Sequence, residues 1–218
     1  MKDSSSKTTS YMRIVIFGPQ GSGKGTQAEL IARRHGLPYI STGDIFRYHT
    51  TSGTPLGMQV QAYTARGELV PDVLTNEIVK DRIQQPDCEA GFVIDGYPRN
   101  QVQADFLSSI TKVDVAFVIE LSDEEAIARL SQRLACKCGL SYHAQYNPPK
   151  VAGQCDKCGG VLFRREDDQP QAIRKRLAIY HTETEPVLSY YENQKILHRI
   201  DGARVIDEVY QQIEKALV

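Results

Sequence analysis

The hydrophobic positions along this chain fall in short blocks. Arg13 to Phe17 (RIVIF), Phe92 to Ile94 and Val113 to Leu121 are compact, β-branched runs, the pattern of strands covered on both faces. The stretches between them read as helices. Thr26 to Arg34 stops at Gly36, and Leu37 to Ile40 is a short extended piece. Ser41-Thr42-Gly43-Asp44 opens a helix through Arg47, Gly53-Thr54-Pro55 is a turn, and two helical stretches flank Gly67 and Pro71. Asp123 to Leu134 is expected to be one helix, and Pro170 to Asn193 a long one interrupted near Pro186. Lys195 to Ile200 and Arg204 to Ile206 are expected strands, and Asp207 to Leu217 a closing helix. Alternation of strand and helix predicts an α/β fold: a parallel sheet covered by helices. From Ala135 to Gln169 the composition turns to Cys, Gly, Pro and polar residues, which marks an inserted lobe.

Composition narrows the class. A chain of 218 residues with 41% hydrophobic and 24% charged positions can bury one core carrying small lobes. Its net charge of -1 gives no global basic field, so nucleic acid is not expected as a partner. No apolar run approaches the roughly 18 residues that a membrane span needs. Met1 to Tyr11 has no apolar segment of a secretory signal and no arginine. A disordered tail preceding a natural start at Met12, and a cytoplasmic location, are the expectations.

Gly18-Pro19-Gln20-Gly21-Ser22-Gly23-Lys24-Gly25-Thr26 fits G-x-x-x-x-G-K directly after a strand and before a helix. Glycines let backbone N–H groups converge on phosphate oxygens, and the helix adds its positive end. Lys24 supplies a compact charge. The motif's usual Ser or Thr after the lysine is replaced by Gly25, with Thr26 one place later, so magnesium is expected to be held largely through water. Thr111-Lys112-Val113-Asp114 resembles a guanine-reading motif, but it precedes a strand where that motif follows one; a polar turn is the expectation.

Phe92-Val93-Ile94-Asp95-Gly96-Tyr97-Pro98-Arg99 delivers a carboxylate, a glycine and an arginine to the carboxyl edge of the sheet, where open α/β folds bind ligands. Asp95 suits orienting water on magnesium, and Arg99 a bidentate grip on phosphate. Taken together, GPQGSGKGTQ, ISTGDIFR and DGYPRNQ resemble the adenylate kinase family, from about Met12 to the C-terminus.

The resemblance implies a P-loop core (12–40, 71–134 and 170–218), an inserted lobe for the nucleoside monophosphate (41–70) and an inserted lid (135–169). It implies that Gly21, Ser22, Gly23, Lys24, Gly25 and Thr26 hold the ATP phosphates. Arg129 and Arg133, four apart on the expected helix and so on one face, would turn toward ATP, with Ser141, Tyr142 and Arg204 bordering its adenosine. The AMP site would comprise Thr42, Arg47, Glu68, Leu69, Val70, Gly96, Tyr97, Pro98, Arg99 and Gln103, with Arg165 and Arg176 closing on the phosphates. Lys24, Arg99, Arg133, Arg165 and Arg176 would stabilise the charge that moves. The implied activity is ATP + AMP ⇌ 2 ADP, with magnesium accompanying ATP, in a monomer. A UMP/CMP or other monophosphate kinase on the same fold is the alternative.

Four of the five cysteines lie in the inserted lobe, as Cys136-x-Cys138 and Cys155-x-x-Cys158. Clustering of this kind in a reducing compartment favours metal over disulfide, and four sulfurs suit a closed, structural zinc site. The first pair is one residue shorter than in zinc-bearing members of the family, which singles out Cys136; His143 is the nearby substitute. Cys88 stands alone in a polar stretch and is expected to be silent.

Overall fold

The computed structural model describes residues 12–66 and 68–217; the expected tail at Met1 to Tyr11 lies outside them. Strands β1 (Met12–Phe17), β2 (Tyr39–Ser41), β3 (Gly91–Asp95), β4 (Val115–Glu120) and β7 (Leu197–Asp201) form one sheet in the order β2-β3-β1-β4-β7, and every pairing is parallel. The alternation of side chains divides β1 between two cores. Val15 and Phe17 face α4 (Asp72–Ile83), α5 (Gln101–Ile110) and α8 (Leu188–Asn193), packing with Val79, Leu107 and Tyr191. Ile14 and Ile16 face α1 (Lys24–His35) and α9 (Ile206–Ala216), with Ile31 and Ile213. Helices on both faces explain why the strands read as unbroken apolar runs. The chain crosses from β3, on one side of β1, to β4 on the other. That reversal opens a crevice at the carboxyl ends of β1, β3 and β4.

Two lobes are inserted. One contains α2 (Thr42–Thr51) and α3 (Pro55–Ala65) around Phe46, Val60 and Val70. The other carries an antiparallel pair, β5 (Arg133–Ala135) and β6 (Ser141–His143), before α7 (Pro170–Ile179) returns to the core against α6 (Asp123–Ser131). The interruption expected near Pro186 is a π-turn over Tyr180–Thr184 followed by a 3₁₀ turn over Glu185–Val187. Among the described residues, no helix is long and apolar enough to cross a membrane.

Two expectations are corrected. The helix from Asp123 ends at Ser131, not Leu134, so Arg133 stands on β5 and does not share a helical face with Arg129. Leu134 packs in the lobe against Cys136 and Tyr142, and that burial draws the chain out of the helix. Arg204 to Ile206 is no strand: the last sheet pairing is Glu120 with Asp201, and Ile206 already begins α9. Helix α5 went unread because Val102, Ala104 and Phe106 alternate. The overlooked signal was Asn100, whose side chain accepts from the Gln103 N–H and caps the helix. Asp114 takes the Arg13 N–H at the start of β1, at the end of the sheet opposite the crevice, which fits the polar-turn reading of Thr111 to Asp114.

Leu107 is fully buried on α5 whereas Val102 is exposed. Leu107→Ala should cost about 2–5 kcal/mol in a denaturant melt, and Val102→Ala within about 0.5 kcal/mol. Equal effects would show that α5 is not packed by this face.

Candidate functional site

The phosphate loop follows β1 and enters α1. Gly21 and Gly23 both have φ of +89°, a conformation other residues rarely adopt, and a side chain at Gly21 would run into the Ala126 carbonyl. Gly23 caps α1 without a side-chain hydrogen bond, and the first turn holds no acidic residue. The leading N–H groups of α1 are thus left for an anion.

A cavity of ≈ 340 Å³ lies above this loop. Among its lining residues are Lys24 from the core, Arg47 from the first lobe, Arg99 after β3, Arg133 on β5, Arg165 from the second lobe, and Arg176 from α7. Their partners differ. Arg133 makes a two-pronged pair with Asp168; Arg176 lies 2.9 Å from Asp167 and 3.6 Å from Asp168; Arg47 pairs with Asp44. Lys24 donates only to the Pro19 carbonyl, Arg99 to the Gly96 carbonyl and Arg165 to the Ser141 hydroxyl. Among the described residues, none of these three has a carboxylate within 4.0 Å.

The electrostatics follow. Loss of water pushes Lys24 down to about 8, a shift that Asp95 opposes and Arg99, Arg176 and Arg133 deepen. Desolvation likewise brings Arg165 and Arg176 down to about 10 and lowers Arg99. Burial raises Asp167, but Arg176, Arg133 and Arg165 outweigh it and hold the carboxyl below its ordinary value. Asp95, 8% exposed, accepts from the Tyr39 hydroxyl through Oδ2, while Oδ1 is buried without a partner.

The predicted site residues divide. Of the ATP set, Gly21 to Thr26, Arg129, Arg133, Ser141, Tyr142 and Arg204 all border the cavity, although Tyr142 is also part of the lid's own core. Arg129 stacks on the Tyr146 ring at 4.8 Å. Of the AMP set, Arg47, Gly96, Tyr97, Pro98, Arg99, Arg165 and Arg176 line it. Thr42, Glu68, Leu69, Val70 and Gln103 do not. Thr42 donates to the Gly96 carbonyl, Glu68 pairs with Arg66 and Lys175, and Val70 is buried in its lobe. Gln103 accepts from the Arg99 N–H at 2.8 Å and donates to Asp72 at 2.7 Å. Tyr39, Tyr146, Tyr180 and Thr184 also line the cavity and had no sequence signal, being single residues brought in from separate elements.

In the lid, the Sγ atoms of Cys136, Cys138, Cys155 and Cys158 all lie within 4.8 Å of one another. Cys136 reaches Cys158 at 3.4 Å despite the short spacing, and His143 is outside the group. Two turns make this possible: Gly139 N–H bonds back to the Cys136 carbonyl, and Gly159 N–H to that of Cys155. Four sulfurs at these separations match a tetrahedral metal with bonds near ~2.3 Å.

Comparison with known proteins gives the family. The sequence profile of the family described as "Adenylate kinase" matches residues 16–196. The chain is 47% identical over 211 residues to the adenylate kinase of Methanosarcina barkeri, covering 94% of this chain and 98% of that protein. It is 47% identical to those of Agathobacter rectalis (93% and 97% covered) and Acetivibrio thermocellus (94% and 98%). A phosphate loop, converging cations and near full-length similarity place this chain in the adenylate kinase family.

Proposed function

We propose that the cavity carries out ATP + AMP ⇌ 2 ADP by in-line transfer between two bound nucleotides. The observation that carries this reading is the convergence of cations on one cavity, of which Lys24, Arg99 and Arg165 have no carboxylate partner among the described residues. Such a cluster is unfavourable by itself and is relieved by a polyanion. Phosphoryl transfer spreads negative charge over equatorial oxygens, and fixed cations stabilise it without reorganising. The nucleophile, a phosphate oxygen of AMP, is already anionic, so no general base is required. The loop and Lys24 hold the ATP phosphates; Arg47 and Arg99 hold the AMP phosphate; Arg133, Arg165 and Arg176 surround the group between them. The lid and the α2–α3 lobe enclose the cavity, and exclusion of water suppresses hydrolysis of ATP.

The unpartnered Oδ1 of Asp95, beside the loop, fits a role in holding water on magnesium that arrives with ATP. Magnesium supplies charge neutralisation across the phosphates. The four lid sulfurs suit zinc in a structural role, since a closed sulfur shell leaves no position for a reacting water. We further propose a cytoplasmic monomer that acts on ATP, AMP and ADP, with neither nucleic acid nor membrane as a partner.

AMP should exceed CMP, UMP and GMP in kcat/KM by well over tenfold in an ADP-forming assay. Comparable rates with a pyrimidine monophosphate would favour the broader monophosphate kinase reading. Lys24→Met and Arg99→Ala should each lower kcat by roughly 10²-fold or more, with melting little changed.

A bound polyphosphate should return Lys24 to its charged form. Just above pH 8, ATP binding should take up a proton, read by calorimetry in buffers of different ionisation enthalpy; Lys24→Met should abolish the uptake. In the nucleotide-free protein the sign is the reverse of an ordinary ion pair. Between the folded value of about 8 and the model-peptide 10.5 the unfolded chain binds the extra proton, so this group adds stability as pH rises.

Elemental analysis should find about one zinc per chain. Chelation should lower the melting temperature while leaving initial turnover at low temperature, with magnesium replenished, largely intact. Cys155→Ser should lose the metal. Immediate loss of turnover would overturn the structural role.

A further inference from the structure

We infer that Thr184 is a positioning residue for Arg99, and through it for the monophosphate side of the reaction. Thr184 is 7% exposed and lines the cavity with Arg99 and Arg176. Its hydroxyl donates to the Arg99 carbonyl at 2.8 Å, across 85 positions of sequence. That bond completes a three-point hold on one residue. The Arg99 N–H donates to Gln103 Oε1 at 2.8 Å, its Nε to the Gly96 carbonyl at 2.7 Å, and its carbonyl receives Thr184. Two of the three points fix the backbone at both ends of the residue. A guanidinium that must meet a phosphate bidentately needs that support, because a small rotation at the backbone becomes a large displacement at the end of the side chain.

The π-turn is the device that brings Thr184 there. Arg176 sits in α7, and Thr184 is eight residues later on the same rod. Eight residues of α-helix turn through a little over two revolutions, so Thr184 would point about 80° away from Arg176. The wider turn over Tyr180–Thr184, closed by the Glu185 N–H to the Tyr180 carbonyl, rotates less per residue and swings Thr184 back toward the cavity. One rod therefore presents Arg176 to the site directly and holds Arg99 through its carbonyl. Among the described residues the hydroxyl has no other partner, and Val187, Leu188 and Tyr191 already supply the apolar packing of this rod.

The inference rests on the reading that Arg99 binds the monophosphate, and Arg99→Ala tests that reading by itself. Given that result, steady-state kinetics on Thr184→Val should show KM for AMP raised by about five- to tenfold, since a partly buried carbonyl loses its donor, with KM for ATP within about twofold of the parent. Thr184→Ser keeps the hydroxyl and should restore KM for AMP to within about twofold. In an Arg99→Ala background, Thr184→Val should add nothing to KM for AMP, because the group it positions is gone. If the valine variant does not fold, Thr184→Ala replaces it with the same expectation. A valine or alanine variant that loses thermal stability with KM for AMP unchanged would overturn the proposal. So would equal rises for both substrates, a serine variant as impaired as valine, or an additive effect without Arg99.

Discussion

Mutual repulsion among partly buried cations is the constraint on which the rest of this structure depends. Lys24, Arg99 and Arg165 line one cavity and have no carboxylate partner among the described residues, and Arg133 and Arg176 are paired with Asp167 and Asp168. Left to itself the cluster costs free energy: loss of water on burial is the main cause that lowers the affinity of Lys24 for its proton, and Arg99, Arg176 and Arg133 add to it. The apolar cores on both faces of the sheet must absorb that cost. On the proposed reading, the site would hold electrostatic stabilisation that is realised when phosphate charge enters.

Two acidic residues beside α7, Asp167 and Asp168, sharpen this arrangement. Asp168 is bound by two prongs to Arg133 and Asp167 is held by Arg176, so lid and core are joined by charge at the point where α7 begins. The same pairs orient both guanidinium groups. A lobe that bears part of the site on a small two-stranded sheet has little apolar burial to hold its shape: Tyr142 and Leu162, with Leu134 and Leu140 packed beside them. The four sulfurs bring two separate segments of that lobe together, and the zinc proposed for them would supply the cross-link that so small a core lacks.

Parallel topology explains why the cations converge. β1, β3 and β4 all end at the same edge, so the loop carrying Lys24 and the turn carrying Arg99 emerge as neighbours although 75 positions separate them. The lobes rise from that edge and the π-turn of the α7 rod closes it from the side. The crevice is thus a consequence of chain direction in the sheet, and the lobes need only supply further arginines.

Much of this was legible in the chain itself. The phosphate loop and the strand ending in Asp95-Gly96 could be read because each is a local requirement: a glycine conformation, an apolar run, a helix start within a few residues. The cysteine pairs were legible for the same reason, and tertiary folding added only that Cys136 reaches its partners despite short spacing. Where local pattern and distant packing compete, the sequence was silent or misleading. Leu134 continued a helical period, yet lid burial placed Arg133 on a strand. Asn100 capped a helix whose alternating apolar residues hid it. No spacing could have paired Thr184 with the Arg99 carbonyl, or Lys175 with Glu68. The sequence by itself determined the parallel α/β core, the loop that receives phosphate and the identity of the charges. Only the tertiary structure decided which charges stay unpaired and what holds each in place, because those contacts join segments far apart in the chain.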